Sequence, residues 1–336
     1  MDRYSAAMQR AIDLARLGAG RTGANPLVGA VIASGEGKIL AEGFHAGGDH
    51  AEVVALKNYQ SHTPSADDVL IVTLEPCAHH GKTPPCVDAI IQSGIKRVIY
   101  AVSDPNQIAA GGAAALIRAG ISVESGLLEE QARFMNRAWL TRIAISRPFY
   151  TWKVAMTLDG KTSAPDGTSK WITSKTSRTK VTQLRRKSDA ILVGTSTVLA
   201  DNPTLIPHDE ITDHQPLRVV VGTRSLPPDA NVLDNRATTY LHQSRDLATL
   251  HAALLERGVT RVLVESGNEL GSVLLRAGAI DELIIFIAPS LLGAGQPFFS
   301  DDAISTLSQR RHLTLIKHET SGTDVVLHYA VTQEGA

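Results

Sequence analysis

The chain has only two cysteines, Cys77 and Cys86, and they stand at the two ends of one histidine- and proline-rich loop, PCAHHGKTPPC. His50, in the upstream stretch GGDHAEVVAL, adds an imidazole to these two thiols. One imidazole and two thiolates make the three-ligand set of a catalytic zinc ion, which keeps its fourth position for water. Glu52 follows His50 by two residues, close enough to meet that water without being a ligand. A carboxylate in that position takes the proton of an acidified water and hands it on to a leaving group. Each part is common by itself, since a cysteine is more often a small buried hydrophobe than a ligand. Found together, the four residues point to metal-assisted hydrolysis.

These side chains need elements to hold them. Residues 50–59 read as a helix with His50 in its first turn. Residues 87–93 read as another, entered through Pro84-Pro85 and ended by Gly94. Cys86 thus falls at a helix start, where the partial positive charge favours a thiolate. The β-branched runs 27–33, 69–74, 96–102 and 121–124 are predicted strands, and 113–119 a helix. Met8, Ala11, Ile12 and Ala15 follow helical spacing and predict a first amphipathic helix. Around Ser146, Arg147 and Pro148 the pattern resets, which gives two α/β domains, 1–146 and 147–336. In the second, 149–156, 190–193, 217–221, 261–264 and 283–287 are predicted strands. Glu265-Ser266-Gly267 leads into a helix that runs to about Arg276. Glycine-bearing turns after strands bring backbone N–H groups toward the phosphates of a dinucleotide, although neither candidate turn has the Rossmann spacing.

At 336 residues, 43% hydrophobic and 20% charged, the chain is long enough for two cores. A formal net charge of −1 gives no electrostatic reason to expect nucleic acid or membrane partners. Two cysteines make no disulfide framework, and Asp2 and Asp13 argue against a transit peptide at the N-terminus. No apolar stretch is long enough and uncharged enough to span a bilayer. The expected class is a cytoplasmic enzyme acting on a small molecule.

The residues of the first half also match a wider pattern. His-x-Glu followed by Pro-Cys is the arrangement of zinc deaminases, with eight residues here between the cysteines where two are usual. Further motifs are Asn25-Pro26-x-Val28-Gly29, Gly43-x-His45, His50-Ala51-Glu52, Thr73-Leu74-Glu75-Pro76-Cys77-x-His79-His80-Gly81-Lys82-Thr83-Pro84-Pro85-Cys86 and Asp104-Pro105-Asn106. With them the first half resembles the deaminase domain of the RibD family, the bifunctional riboflavin biosynthesis proteins, in which the long inter-cysteine loop is a hallmark. The resemblance implies a cytidine-deaminase-like α/β/α fold with Glu52 as proton shuttle. It also implies hydrolysis of the 2-amino group of a diaminopyrimidinone that carries a phosphoribosylamino group. Asn25, His45, His80, Lys82 and Asn106 would line the pocket, Lys82 facing the phosphate. The chain departs from the family at DPNQIAAGG, which lacks a second proline and a basic residue, and at Ala24 and Asp49, which stand where prolines are usual.

In the second half, WKVAMTLDGKTS, SKWITS, GTSTVLADNP and ESGNELGSVLL resemble the RibD reductase domain, which has a dihydrofolate-reductase-like fold and uses NADPH. The resemblance implies NADPH contacts at Ala155, Trp171, Thr197, Asp201, Thr223, Gly267, Asn268, Glu269, Leu270, Gly271, Ser272 and Val273. It implies substrate contacts at Ser169, Arg185, Leu205, His208 and Glu265, with Lys153 and Glu265 handling or orienting a proton. Arg185 is suited to a phosphate through its bidentate fork. The departures here are His208, where arginine is common, and Gly222-Thr223, where Asp-Ser is usual. A homo-oligomer is expected from the same resemblance. Three other readings stay open at this level. The first is an active deaminase joined to an altered or inactive reductase. The second is a non-catalytic, zinc-stabilised ligand-binding protein. The third, a nucleic-acid deaminase, is disfavoured by the neutral charge.

Overall fold

The computed structural model describes residues 3–60, 62, 65–79, 84–106, 110–207 and 215–332. The chain divides into two compact units, Met1–Ser146 and Arg147–Ala336.

In the first unit the apolar stripe winds into helix α1 (Ser5–Arg16), with Met8, Ala11, Ile12 and Ala15 wholly buried. It covers one face of a sheet made of β1 (Gly29–Ala33), β2 (Ile39–Phe44), β3 (Val69–Leu74), β4 (Arg97–Val102) and β5 (Ser122–Ser125), in the order β2-β1-β3-β4-β5. β1 is antiparallel to both neighbours, whereas β3, β4 and β5 are parallel. All six residues of β3 are buried, as a parallel strand covered on both faces requires. On the α1 face, α5 (Glu129–Met135) and α6 (Arg137–Ile145) pack Met135 and Trp139 with Met8 and Ile12 against Val31, Ile71 and Ile99. The other face carries α2 (Ala51–Tyr59), α3 (Cys86–Ser93) and α4 (Gly112–Arg118), which bury Ala55, Ile90 and Leu116 on Ile32, Leu70 and Val98. The sequence pattern does not mark β2, because its buried positions are the small residues Ala41 and Gly43. His50 is the N-cap of α2 and not in its first turn, a shift of one residue.

The second unit is built on eight strands in the order β10-β9-β8-β11-β6-β12-β15-β14. They are β6 (Phe149–Thr157), β8 (Ala190–Gly194), β9 (Leu217–Val221), β10 (Thr239–His242), β11 (Arg261–Val264), β12 (Ile280–Ala288), β14 (Leu313–Ser321) and β15 (Asp324–Val331). β7 (Lys161–Ser163) and β13 (Gln296–Pro297) form a separate antiparallel pair. The six strands from β10 to β12 are parallel, and β15 and β14 close one edge as an antiparallel hairpin. Tyr150, Trp152 and Val154 of β6 point into the core with α9 (Leu247–Glu256) and α10 (Asn268–Arg276). The alternate residues Thr151, Lys153 and Ala155 therefore face the opposite side. On that side α7 (Lys175–Arg186) packs only Val181 and Leu184, against Ile284, Phe286 and Val326. α8 (Thr195–Asp201) adds Val198 to a smaller cluster with Ile191, Val193 and Val220. Parallel strands put all their carboxyl ends on one edge of the sheet, where open α/β sheets bind ligands.

Candidate active sites

In the first unit the starts of α2 and α3 meet the segment that leaves β3. Their meeting brings together His50, Cys77 and Cys86, whose ligand atoms all lie within 4.8 Å of one another. His50 Nδ1 is 3.1 Å from Cys86 Sγ and 3.5 Å from Cys77 Sγ, and the Cys86 backbone N–H donates to Cys77 Sγ across 3.4 Å. The Cys77 thiol is held down, first by the hydrogen bond from Cys86, then by His50 and that N–H, against the penalty of burial. The same bond to Cys77, with burial, pushes the Cys86 thiol up. The hydrogen bond to Cys77 raises His50, against its burial. Two sulfurs and an imidazole nitrogen gathered within 4.8 Å of one another make a site that a cation completes. The donor set fits zinc, with three soft or borderline ligands and room for a fourth.

Glu52 lies in the first turn of α2 and is 3% exposed. Burial raises its carboxyl from 4.5 to about 7, and Cys86 hydrogen-bonds to it. His45, whose ring lies 5.6 Å from that of His50, is buried, donates from Nδ1 to the Asp49 carbonyl (3.1 Å), and meets Asn25 Nδ2 at Nε2 (3.4 Å). Burial lowers His45. The loop carrying Asn25 is braced from far along the chain. Asn136, at the α5–α6 junction, accepts from Leu27 N and donates to Leu27 O, both at 2.8 Å. The turn carrying Asn106 is held by Asp104, whose Oδ1 accepts the Asn106 N–H at 2.8 Å. His80 and Lys82 lie outside the described residues. Sequence reasoning gave no role to Asn136, or to Glu75 in the TLEPC motif. The available signal for Glu75 was an acid directly after a mostly apolar strand.

In the second unit Glu265, just after β11, is enclosed by two cations. Arg185, from the last turn of α7, donates to it through Nε (2.6 Å) and Nη2 (3.0 Å), and Lys153 Nζ of β6 lies 3.4 Å away. Burial alone would raise Glu265, but Arg185 and then Lys153 bring it down from 4.5 to about 2. Arg185 Nη1 also donates to the Ile206 carbonyl. The fork expected to grip a phosphate is therefore engaged by Glu265, and Nη1 is shared with the Ile206 carbonyl.

The residues expected at NADPH lie on several elements of this unit. Ala155 is on the Lys153 face of β6, and Thr197 and Asp201 are in α8. Trp171 is 73% exposed at a φ of 68°, with the Arg178 guanidinium 4.4 Å from its ring centroid. Leu205, also at positive φ, is buried. Gly267 caps α10 without a side-chain cap, and a Cβ there would meet no atom within 4 Å. Ser266 Oγ beside it is buried and has no partner among the described residues. An uncapped helix start with an orphaned hydroxyl fits a phosphate of the cofactor. Of the following turn, Gly271 and Ser272 are buried, Asn268 is bonded to Ser272 and Ser300, and Glu269 and Val273 are exposed. Leu270 is half-buried against the core. Thr223 is exposed after β9. Its neighbour Gly222 has a φ of 138°, and a Cβ there would fall 2.6 Å from Thr195 Oγ1. Glycine is thus required where the family commonly has an acid, and the Thr195 hydroxyl fills that space. His208 lies outside the described residues.

The ligand cluster on an α/β/α sandwich defines the first unit as a cytidine-deaminase-like zinc domain, and the second unit as a reductase-like α/β domain. Residues 1–102 match the cytidine and deoxycytidylate deaminase zinc-binding region, and residues 148–327 the RibD C-terminal domain. The riboflavin biosynthesis protein RibD of Mycobacterium tuberculosis is 43% identical over 314 residues, covering 92% of this chain and 91% of its own length. RibD of Aquifex aeolicus is 38% identical over 348 residues, covering 96% and 97%. Among solved structures, RibD of Acinetobacter baumannii superposes with a TM-score of 0.90 at 36% identity. The diaminohydroxyphosphoribosylaminopyrimidine deaminase/5-amino-6-(5-phosphoribosylamino)uracil reductase of Thermotoga maritima also reaches 0.90, at 34% identity. Each covers 98% of this chain and 99% of the other. The chain belongs to the RibD family.

Proposed function

We propose that the chain catalyses two consecutive steps of riboflavin biosynthesis. The first is hydrolytic deamination of the phosphoribosylamino-diaminopyrimidinone. The second is NADPH-dependent reduction of the ribosyl group of the aminouracil product to ribityl. When bound, zinc supplies Lewis acidity toward water and NADPH supplies reducing equivalents. His50, Cys77 and Cys86 would hold the metal. Glu52 takes a proton from water, gives it to the ring nitrogen, and then serves the departing amine, so that C–NH2 and water become C=O and ammonia. Burial raises this carboxyl above the usual carboxylate range, which favours its returning the proton it has taken. Asn25, His45 and Asn106 present polar groups to the pyrimidine.

In the reductase, Glu265 stays ionised and fixes Lys153 and Arg185. Lys153 Nζ would serve as N–H donor to the ribose oxygen as the ring opens, and the Gly267 end of α10 would receive cofactor phosphate. Assembly as a homo-oligomer in the cytoplasm completes the reading. Its support is the edge strand β14, with Leu313 and Leu315 exposed beside unpaired backbone groups. Among the described residues no helix is long and apolar enough to cross a membrane.

The observation that carries the proposal is a buried Glu52 set against a three-ligand cluster it does not join. A purely structural metal gains nothing from that carboxylate. Glu52→Gln is expected to keep zinc and lose deamination by about a hundredfold or more. Unchanged ammonia release from the zinc-loaded variant would overturn the assignment.

A further inference from the structure

We propose that Glu75 is a positioning residue of the deamination site, one carboxylate that sets the Asn106 turn and the start of α4 in register with the metal ligand Cys77. The inference rests on the deaminase reading of the first unit. Glu75 directly follows β3, two residues before Cys77, and is 8% exposed. Its backbone N–H donates to Val102 O at 2.9 Å, so the end of the sheet fixes where its side chain begins. The two carboxylate oxygens then diverge. Oε2 accepts the Asp104 N–H at 3.2 Å, and Oε1 accepts the Ala113 N–H at 3.0 Å.

The first bond anchors the Asp104-Pro105-Asn106 turn, in which Asp104 Oδ1 in turn orders the Asn106 N–H. The second satisfies a helix-start donor that α4 leaves open, because its N-cap Gly111 has no side chain to offer. At the same end Gly112 sits directly on the Cys77-bearing strand exit. A Cβ there would fall 1.7 Å from Pro76 O, so no side chain separates α4 from that peptide. Residues 104 and 113 are thus both indexed to the peptide that carries Cys77. Only a carboxylate does this, because it offers an acceptor on each side. Glutamine has one acceptor oxygen and would turn its NH2 toward an N–H.

The test compares wild type with Glu75→Gln as full-length, zinc-loaded protein, reading three quantities: zinc content, exchange of the Asp104 and Ala113 amides, and kcat and KM for ammonia release from the diaminopyrimidine phosphate. The account expects full zinc occupancy and exchange of both amides at least about tenfold faster. It expects KM to rise about tenfold while kcat stays within about threefold. Ala113→Pro removes one donor without touching Glu75, at a first-turn position where proline is tolerated, and is expected to raise KM in the same direction by less. KM values equal to wild type in both variants would overturn the proposal. So would zinc loss or a fall in kcat alone in the two variants, since these mark a brace for the fold or the metal. No ammonia from the wild type would instead refute the deaminase reading, leaving amide exchange to judge the clamp.

Discussion

At Glu265 burial and charge pull in opposite directions, and the two cations win. The carboxyl is lowered from 4.5 to about 2, so it does not titrate in the neutral range and serves as a fixed anion for Lys153 and Arg185. Taking that anion away leaves two cations beside each other in a buried site, at a cost of about 3 kcal/mol or more. Glu265→Gln is therefore expected to destabilise the second unit and to reduce NADPH turnover, with deamination intact. Because the native value is depressed, the stabilisation is complete above pH 4.5 and fades as pH falls through about 2. The stability gap between wild type and Glu265→Gln should narrow across that window in urea titrations. A gap that widens on acidification contradicts the assignment.

The elements were legible where burial imposes a period. The stripe in α1 and the apolar run of β3 appear in the sequence because one face of the first and both faces of the second meet a core, and Gly94 marks the end of α3 by its left-handed φ of 81°. α7 was not legible, since twelve mostly polar residues cover their sheet with only Val181 and Leu184. The hairpin of β14 and β15 was missed for a related reason, as β14 is solvated along most of its length. The site repeats the contrast. His50, Glu52, Cys77 and Cys86 announce themselves by type and spacing, whereas the Arg185–Glu265 pair spans 80 residues and Asn136–Leu27 spans 109, separations that no local pattern records. Asn136 joins the α5–α6 junction to the loop that carries Asn25. Asn136→Ala leaves both polar groups of buried Leu27 without partners, at about 2 kcal/mol or more. The variant is expected to melt lower and to show a higher KM for deamination with reduction unaffected, which thermal melts and the two separate assays would check.

For the whole molecule, the two reactions draw on different chemistry held by different units. The ligand cluster and Glu52 belong to Met1–Ser146, and Lys153, Arg185 and Glu265 belong to Arg147–Ala336. The reset near Arg147 made that division readable in the sequence. The reductase residues were harder to read, because Gly222 depends on the shape of Thr195 across a strand-to-helix turn. The most direct measurement is a stepwise assay on one zinc-loaded preparation, given the diaminopyrimidine phosphate first without and then with NADPH. The account predicts one ammonia per substrate before any NADPH is added, followed by one NADPH oxidised per ammonia released. NADPH oxidation with no prior ammonia, or ammonia with no later oxidation, would contradict it.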